Sequence, residues 1–227
     1  MTAPPVLRIT EILATLNGES RWAGLPCALV RLTGCPLRCR WCDATHAHEG
    51  GELLEGTEVL TRIRALGLRR VLVTGGEPLA QAHCLGLLQA LVDEGHEVLL
   101  ETSGALPVGA VPAAVHRIVD VKPPSSGEAA RMRLDNLALL GLDDEVKFVV
   151  ADRSDFDAAL QVIQAHGLVG RTGILVSPVH DELAPIVVAR WILDAGLDTR
   201  LNLQLHKLAF GAAGDAALVQ VRGRDQS

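Results

Sequence analysis

The chain has 227 residues, of which 48% are hydrophobic, and this excludes a disordered polypeptide while allowing a full hydrophobic core. Its formal net charge of −6 argues against electrostatic binding of nucleic acid, so no nucleic-acid partner is expected. The sequence shows no uncharged apolar stretch of about 18 residues and no signal peptide, so we expect a cytoplasmic protein that does not bind a membrane.

Short β-branched runs alternate with segments of helical periodicity along the chain. The runs predict strands at 28–33, 70–74, 97–101, 117–121, 145–150, 173–177 and 200–205. The periodic segments predict helices at 57–65, 80–94, 134–140, 155–166 and 182–195. Such alternation predicts a parallel sheet covered by helices. A closed eight-unit barrel typically needs ~250 residues, so we predict an α/β fold, an open, partial parallel β/α barrel of about six strands. One domain spans 1–210, and 211–227 is predicted to be a poorly ordered tail.

Three of the five cysteines crowd into the segment GCPLRCRWCD, directly after the first predicted strand. Cys35, Cys39 and Cys42 have the spacing C-x3-C-x2-C, which lets a tight loop direct three thiolates at one centre. Three thiolates without a fourth suit a [4Fe–4S] cluster with one iron left open for a small molecule. A closed zinc site needs four ligands, so the zinc alternative requires His46 or His48 in addition.

A second motif, VLVTGGEP at 71–78, lies where the next predicted strand ends. Gly75 and Gly76 have no side chains, so their backbone allows a ligand to approach closely. Glu77 then offers a carboxylate that can pair with an ammonium group. In isolation, the pattern fits an ordinary strand-to-helix turn with a solvated glutamate equally well.

Together the two motifs resemble those of the radical S-adenosylmethionine (SAM) superfamily. The resemblance implies a radical SAM type of partial barrel in which the three cysteines bind the cluster and SAM chelates its open iron. The glycines and Glu77 then hold the amino group of SAM. Reductive cleavage of SAM yields a 5′-deoxyadenosyl radical that abstracts hydrogen from the substrate. An electron donor such as flavodoxin or ferredoxin is implied as a partner.

More distant segments resemble the 7-carboxy-7-deazaguanine synthase family within this superfamily. In chain order they are TLNGES at 15–20, DVKPPSSGE at 120–128, DEVKFV at 144–149 and QLHK at 204–207. The resemblance implies a lyase of 7-deazapurine and queuosine biosynthesis. It converts 6-carboxy-5,6,7,8-tetrahydropterin to 7-carboxy-7-deazaguanine with loss of ammonia, and it regenerates SAM. A homodimer is also implied.

The family resemblance assigns two sets of site residues. The residues assigned to the pterin substrate are Leu16, Asn17, Gly18, Glu19, Arg31, Thr74 and His206. The residues assigned to SAM are Trp41, Asp43, Gly75, Gly76, Glu77, Ser103 and Lys122. Among the first set, Glu19 suits the aminopyrimidine edge and Arg31 suits the substrate carboxylate. Lys147 is interpreted as a strand-edge residue outside the site.

Two positions depart from the family pattern. Asn17 stands where the family usually has glutamine, which keeps the amide but shortens its reach. Ala44 stands where the family commonly has a threonine or serine that ligates Mg²⁺ beside the substrate. Alanine cannot ligate a metal, so either the hydroxyl of Thr45 serves after a one-residue shift of the loop, or substrate and water hold the ion.

Two alternative functions are left open by the sequence. A radical SAM activase generates a glycyl radical on a partner protein and consumes SAM stoichiometrically. A zinc-binding module contains neither iron nor sulfide. The amount of 5′-deoxyadenosine per turnover identifies the first alternative, and iron and sulfide analysis identifies the second.

Overall fold

The computed structural model describes residues 5–211, so the predicted tail lies outside the described residues from 212 onward. The strands within this range are β1 Val6–Leu16, β2 Pro26–Leu32, β3 Glu52–Glu55, β4 Arg70–Gly75, β5 Glu97–Thr102, β6 His116–Asp120, β7 Glu145–Val150, β8 Gly173–Pro178 and β9 Arg200–Leu201. The α-helices are α1 Gly56–Leu66, α2 Cys84–Asp93, α3 Arg153–Ala165, α4 Pro185–Ala195 and α5 Leu205–Phe210. None of these helices is long and apolar enough to cross a membrane.

The strands form one sheet in the order β3-β1-β2-β4-β5-β6-β7-β8-β9. From β2 to β9 the neighbouring strands are parallel, whereas β1 and β3 add an antiparallel extension beside β2. The outermost strands, β3 and β9, do not pair with each other, so the sheet stays open. The prediction of an open, partial parallel barrel is confirmed. Its six main strands are β2 and β4 to β8, and β9 adds two residues.

Some predicted boundaries differ from the observed ones for local reasons. The strand predicted at 200–205 ends at Leu201. The next residue, Asn202, still donates its N–H to the Val176 carbonyl at 2.9 Å, and its Oδ1 accepts the Ser20 N–H at 3.0 Å. The helix predicted at 80–94 begins at Cys84, and the segment predicted as a helix at 134–140 is a 3-10 helix. Neither β1 nor β3 was predicted.

Two separate hydrophobic clusters cover the two faces of the sheet. The larger one lies between the outer face and the helices. The smaller one fills the concave face with Cys27, Leu29, Leu72, Leu99, Ile118 and Leu175, against Leu13 and Trp22. Side chains two positions apart on a strand share a face, so the next inward position lies one layer closer to the carboxyl ends of the strands. That next layer carries the polar side chains of the site.

The connection between β1 and β2 closes the concave face at the opposite end of the strands. The Trp22 ring stacks on His116, with 5.2 Å between the ring centroids. The Arg21 N–H donates to Glu145 Oε1 at 3.0 Å. These contacts anchor the connection. Residues 16–19, where β1 ends and the connection begins, are thereby held against the cavity.

Candidate active site

A cavity of about 1010 Å³ lies at the carboxyl ends of the parallel strands. This is the end at which parallel α/β folds build their sites. The volume lies at the upper end of the ~300–1,000 Å³ typical of ligand pockets, which leaves room for a cosubstrate and a second small molecule. All of the residues predicted for the site line this cavity except Glu77 and Thr45.

One layer of polar side chains from six neighbouring strands forms the floor of this cavity. Its members are Arg31 on β2, Thr74 on β4, Glu101 on β5, Asp120 on β6, Lys147 on β7 and Ser177 on β8. On five of these strands the polar residue stands two positions after a residue of the concave-face cluster. The alternation of strand side chains therefore places an apolar layer beneath a charged one.

The cysteine loop and the Gly-Gly loop pack directly against each other at the rim. The Glu77 N–H donates to the Gly34 carbonyl at 2.8 Å. A Cβ atom added to Gly76 would lie 2.3 Å from the Gly34 carbonyl oxygen and 2.8 Å from Cys35 Cβ. At Gly75, φ is +154° and an added Cβ would lie 2.1 Å from the Leu32 carbonyl oxygen. Glycine is therefore required at both positions, at Gly75 by the end of β2 and at Gly76 by the cysteine loop.

The three clustered cysteines are half-buried, carry no disulfide and line the cavity. Burial raises the pKa of the Cys35 thiol, and it raises the pKa of the Cys39 thiol to about 11. Thiolate ligation of iron must therefore displace protons from these two side chains. Cys42 Sγ lies 3.4 Å from His48 Nε2.

The donor set fits a multi-iron cluster better than a single metal ion. Within residues 5–211, no three His, Cys, Asp or Glu side chains converge closely enough to hold one ion. A closed zinc site requires such convergence. In a [4Fe–4S] cluster each thiolate binds its own iron, so three more widely spaced thiols fit that group.

Glu77 has partners other than the predicted ammonium group. Its carboxylate is fully buried, accepts from Thr102 Oγ1 and the Ser103 N–H at 2.8 Å each, and accepts from the Leu79 N–H at 2.9 Å. It does not line the cavity, because the donors that satisfy it lie at the end of β5. Glu77 therefore joins the ends of β4 and β5 and holds Ser103 at the cavity wall.

Lys147 lies at the centre of a buried group of charges. Its Nζ is 2.9 Å from Glu19 Oε2 and 3.2 Å from Asp120 Oδ2, and it also donates to Glu101 Oε1. Burial disfavours the ammonium form, but the three carboxylates outweigh burial and raise the pKa of Lys147 well above its usual range. The strand-edge interpretation is thereby corrected: β7 is paired on both sides, and Lys147 lies on the cavity floor.

The QLHK segment connects Glu19 to the cysteine loop. Gln204 Nε2 donates to Glu19 Oε1 and to Asp43 Oδ2, each at 2.9 Å, and Lys207 Nζ donates to Asp43 Oδ2 at 2.9 Å. Burial alone would raise the pKa of Asp43, but the charge and hydrogen bond of Lys207 lower it well below its usual range. The pKa of Glu19 is also lowered, because Lys147 outweighs burial. Both carboxylates are therefore ionised and held in place.

Residues 17 and 18 are shaped by their neighbours on the QLHK segment. A Cβ atom on Gly18 would lie 1.7 Å from His206 Nδ1, so the histidine ring packs on the bare backbone of this glycine. The amide oxygen of Asn17 accepts the Glu19 N–H at 3.1 Å. Its buried Nδ2 has no hydrogen-bond partner within the described range. Asn17 lines the cavity, but this nitrogen itself is enclosed by the protein.

The structure does not support Thr45 as a metal ligand. Thr45 is exposed at the start of a 3-10 turn and does not line the cavity, whereas Ala44 does. Arg31, the predicted carboxylate clamp, lines the cavity, and its Nε donates to Glu11 Oε1 at 2.5 Å. The terminal nitrogens of the guanidinium are the part of Arg31 suited to a ligand.

Sequence reasoning missed three charged residues of the floor, Glu101, Asp120 and Lys147. For Glu101 and Asp120 the available signal was the strand pattern itself, because each stands two positions after a buried aliphatic residue and so lies on the same face. Lysine usage was a second signal. The chain has only three lysines, Lys122, Lys147 and Lys207, and all three line the cavity. Such a concentration of ammonium groups suits an anionic ligand.

Comparisons with known proteins agree with this geometry. The model of the family described as "Radical SAM superfamily" matches residues 29–179. The chain is 44% identical to the 7-carboxy-7-deazaguanine synthase of Chlorobaculum tepidum, covering 91% of this chain and 96% of that one. It is 41% identical to the protein of the same name from Koribacter versatilis, covering 88% and 96%. The crystal structure of QueE from Escherichia coli has the same fold, with a TM-score of 0.69, 24% identity and coverage of 88% and 95%.

Proposed function

The chain belongs to the radical SAM superfamily and, within it, to the 7-carboxy-7-deazaguanine synthase family, and from this premise we propose how its residues divide the work. The enzyme is a lyase that converts 6-carboxy-5,6,7,8-tetrahydropterin to 7-carboxy-7-deazaguanine with loss of ammonia. The observation that best supports the residue roles is that one cavity gathers the three cysteines, the Gly-Gly loop and the substrate segment 16–19.

The cysteine side of the cavity is proposed as the cofactor half. Cys35, Cys39 and Cys42 hold the [4Fe–4S] cluster, which when bound supplies the electron that cleaves SAM to a 5′-deoxyadenosyl radical. The backbone at Gly75 and Gly76, which lines the cavity, would receive the amino group of SAM. Glu77 acts indirectly, by holding Ser103. The remaining contacts to SAM are assigned to Trp41, Asp43, Ser103 and Lys122.

The opposite side of the cavity is proposed as the substrate half. Arg31 binds the substrate carboxylate through its terminal guanidinium nitrogens. Glu19, ionised and fixed by Lys147, accepts the N–H donors of the aminopyrimidine edge together with the Leu16 backbone. Asn17 is assigned to the substrate as well, because it lines the same cavity. The other contacts are assigned to Gly18, Thr74 and His206.

Three finer features belong to the same proposal. The physiological electron donor is a flavodoxin or ferredoxin, and the enzyme works as a homodimer. Ala44 and the exposed Thr45 offer no hydroxyl to a metal ion in the cavity. A Mg²⁺ ion bound here would therefore have to be held by substrate and water.

Anaerobically reconstituted protein with SAM, reductant and the carboxytetrahydropterin is expected to release 7-carboxy-7-deazaguanine and ammonia in equal amounts. Because SAM is regenerated, many products form for each 5′-deoxyadenosine, as measured by chromatography and mass spectrometry. A stoichiometric yield of 5′-deoxyadenosine together with a radical on a partner protein would support the activase instead. An intact cluster without any deazaguanine product would overturn the assignment.

Gly18→Ala is expected to lower kcat/KM for the pterin by about 100-fold, because its Cβ displaces the His206 ring and a displacement of roughly 1 Å is enough for such a loss. The slow cleavage of SAM without substrate should change less than about twofold, because the cysteine loop is untouched. Gly86→Ala is the matched control, since its added Cβ meets no atom within 4 Å apart from its own stretch of helix α2. Equal losses in the two variants would contradict the packing of His206 on Gly18.

A further inference from the structure

We infer that Glu101 is the proton-transfer residue for ammonia loss, a role that rests on the proposed function and extends it. Glu101 lies at the end of β5, between Thr74 on β4 and Asp120 on β6. The β5 position places it in the middle of the cavity floor, next to Ser103 of the cofactor half. It is thus within the charged layer that the two halves of the cavity share.

Glu101 differs from the other two carboxylates around Lys147 because one of its oxygens is accessible and is not bound by Lys147. Both oxygens of Glu19 are occupied, by Gln204 and by Lys147. Asp120 bridges two lysines through Oδ2, and its Oδ1 is buried without a partner. The Glu101 side chain is 23% exposed, and Lys147 is bound to Oε1 alone. The second oxygen of Glu101 is therefore the one among the three carboxylates that is open to proton exchange with a ligand, whereas Glu19 is held ionised and acts only as a hydrogen-bond acceptor.

The chemistry of the reaction requires such a group. Substrate and product differ by one molecule of ammonia, so a carbon–nitrogen bond must break while a neighbouring carbon loses a proton. The Glu101 carboxylate takes that proton, and the electron pair of the carbon–hydrogen bond forms the new double bond. The electron pair of the carbon–nitrogen bond leaves with the nitrogen, which receives the proton from Glu101. Glu101 ends as a carboxylate, and no oxidant or reductant is consumed.

The surroundings of Glu101 shift its pKa in the direction that favours general acid–base catalysis. Burial, followed by the nearby charges of Glu19 and Asp120, raises its pKa, although Lys147 opposes this. A carboxyl group whose pKa moves toward the working pH is the most effective general acid and base. Lys147 is a positioning residue in this scheme, because its own raised pKa makes it a poor proton donor.

Glu101→Gln is the test, with a substrate that carries deuterium on C6. The variant should still pass deuterium from substrate into SAM within about threefold of the wild-type rate, because the radical steps do not use the carboxylate. Release of ammonia and product should fall by about 100-fold or more, the typical contribution of general acid–base catalysis. An isomer of the substrate that retains the nitrogen should accumulate. In Glu101→Ala, added formate should restore part of the ammonia release.

Glu97→Gln on the same strand is the matched control, because Glu97 pairs with Arg69 and Arg70 outside the cavity and should leave every rate unchanged. Iron content and visible absorbance of each variant verify the cluster. Wild-type ammonia release by Glu101→Gln, or parallel loss of deuterium transfer and product with an intact cluster, would overturn the role of Glu101. A wild-type protein that makes no deazaguanine would instead overturn the proposed function.

Discussion

Cys39→Ala is expected to abolish cluster assembly and lyase activity together. The cysteine loop supplies only three thiolates, so each iron that they bind has one protein ligand and no substitute for it. Loss of groups that merely support a metal ligand typically costs 10–100-fold in affinity or activity, so loss of a ligand should cost more than about 100-fold. The measurements are iron and sulfide per chain, visible absorbance and 5′-deoxyadenosine formation.

Cys84→Ala is the control for this variant, because Cys84 is fully buried in the outer hydrophobic cluster and does not line the cavity. It should retain its iron and its activity while losing about 1 kcal/mol of stability. If Cys39→Ala still cleaved SAM at the wild-type rate, the assignment of the cysteine loop to the cluster would fail.

Lys147→Met is expected to destabilise the protein by roughly 3–5 kcal/mol, because it leaves three carboxylates without their shared ammonium group. For a chain of this length the loss corresponds to a fall in Tm on the order of 10 °C. Activity should fall as well, since Glu19 and Glu101 lose the contact that positions them. Thermal unfolding of the apo-protein, followed by circular dichroism, measures the fall in Tm without interference from the cluster.

The loss of stability in Lys147→Met should grow as the pH rises. In the wild type, the pKa of Lys147 is higher in the folded protein than in the unfolded chain. The stability that this difference contributes is fully present at any pH below the pKa of the unfolded chain. It is lost only as the pH rises through the pKa of the folded protein. Without Lys147, repulsion raises the folded pKa values of the carboxylates, and this lowers stability progressively as pH rises. The Tm difference from wild type should therefore be larger at pH 8 than at pH 5.

Arg153→Met is the matched control, because it removes an exposed pair with Asp157 and exposed cation–π contacts with Phe156 and Trp191, which together should cost about 1–2 kcal/mol. A Lys147→Met protein with wild-type Tm at pH 8 would contradict the charge balance described for the cavity floor.

Much of the fold and of the site could be predicted from local patterns. The spacing of Cys35, Cys39 and Cys42 and the Gly-Gly turn identified the chemistry, and the alternation of strands and helices predicted the open barrel. Strand β1 was missed because its pairing partner, β2, begins ten residues after it ends, across a connection without a helical pattern. Thr45 was misplaced because nothing local reveals that a 3-10 turn directs it outward.

The sequence by itself determined the class of reaction, because cluster ligation and close backbone approach depend on residue type and spacing within short segments. Only the tertiary structure decided which charged groups face one another across the sheet. In the sequence, Lys147 is an ordinary residue of a predicted strand. In the fold, β5, β6 and the β1–β2 connection place Glu101, Asp120 and Glu19 beside it, and Glu19 is 128 positions away in the chain. The hydrogen bonds that Glu77 accepts from Thr102 and Ser103 were likewise not predictable from the sequence. Such contacts are long-range, and burial converts them into fixed charges and shifted pKa values that no local pattern contains.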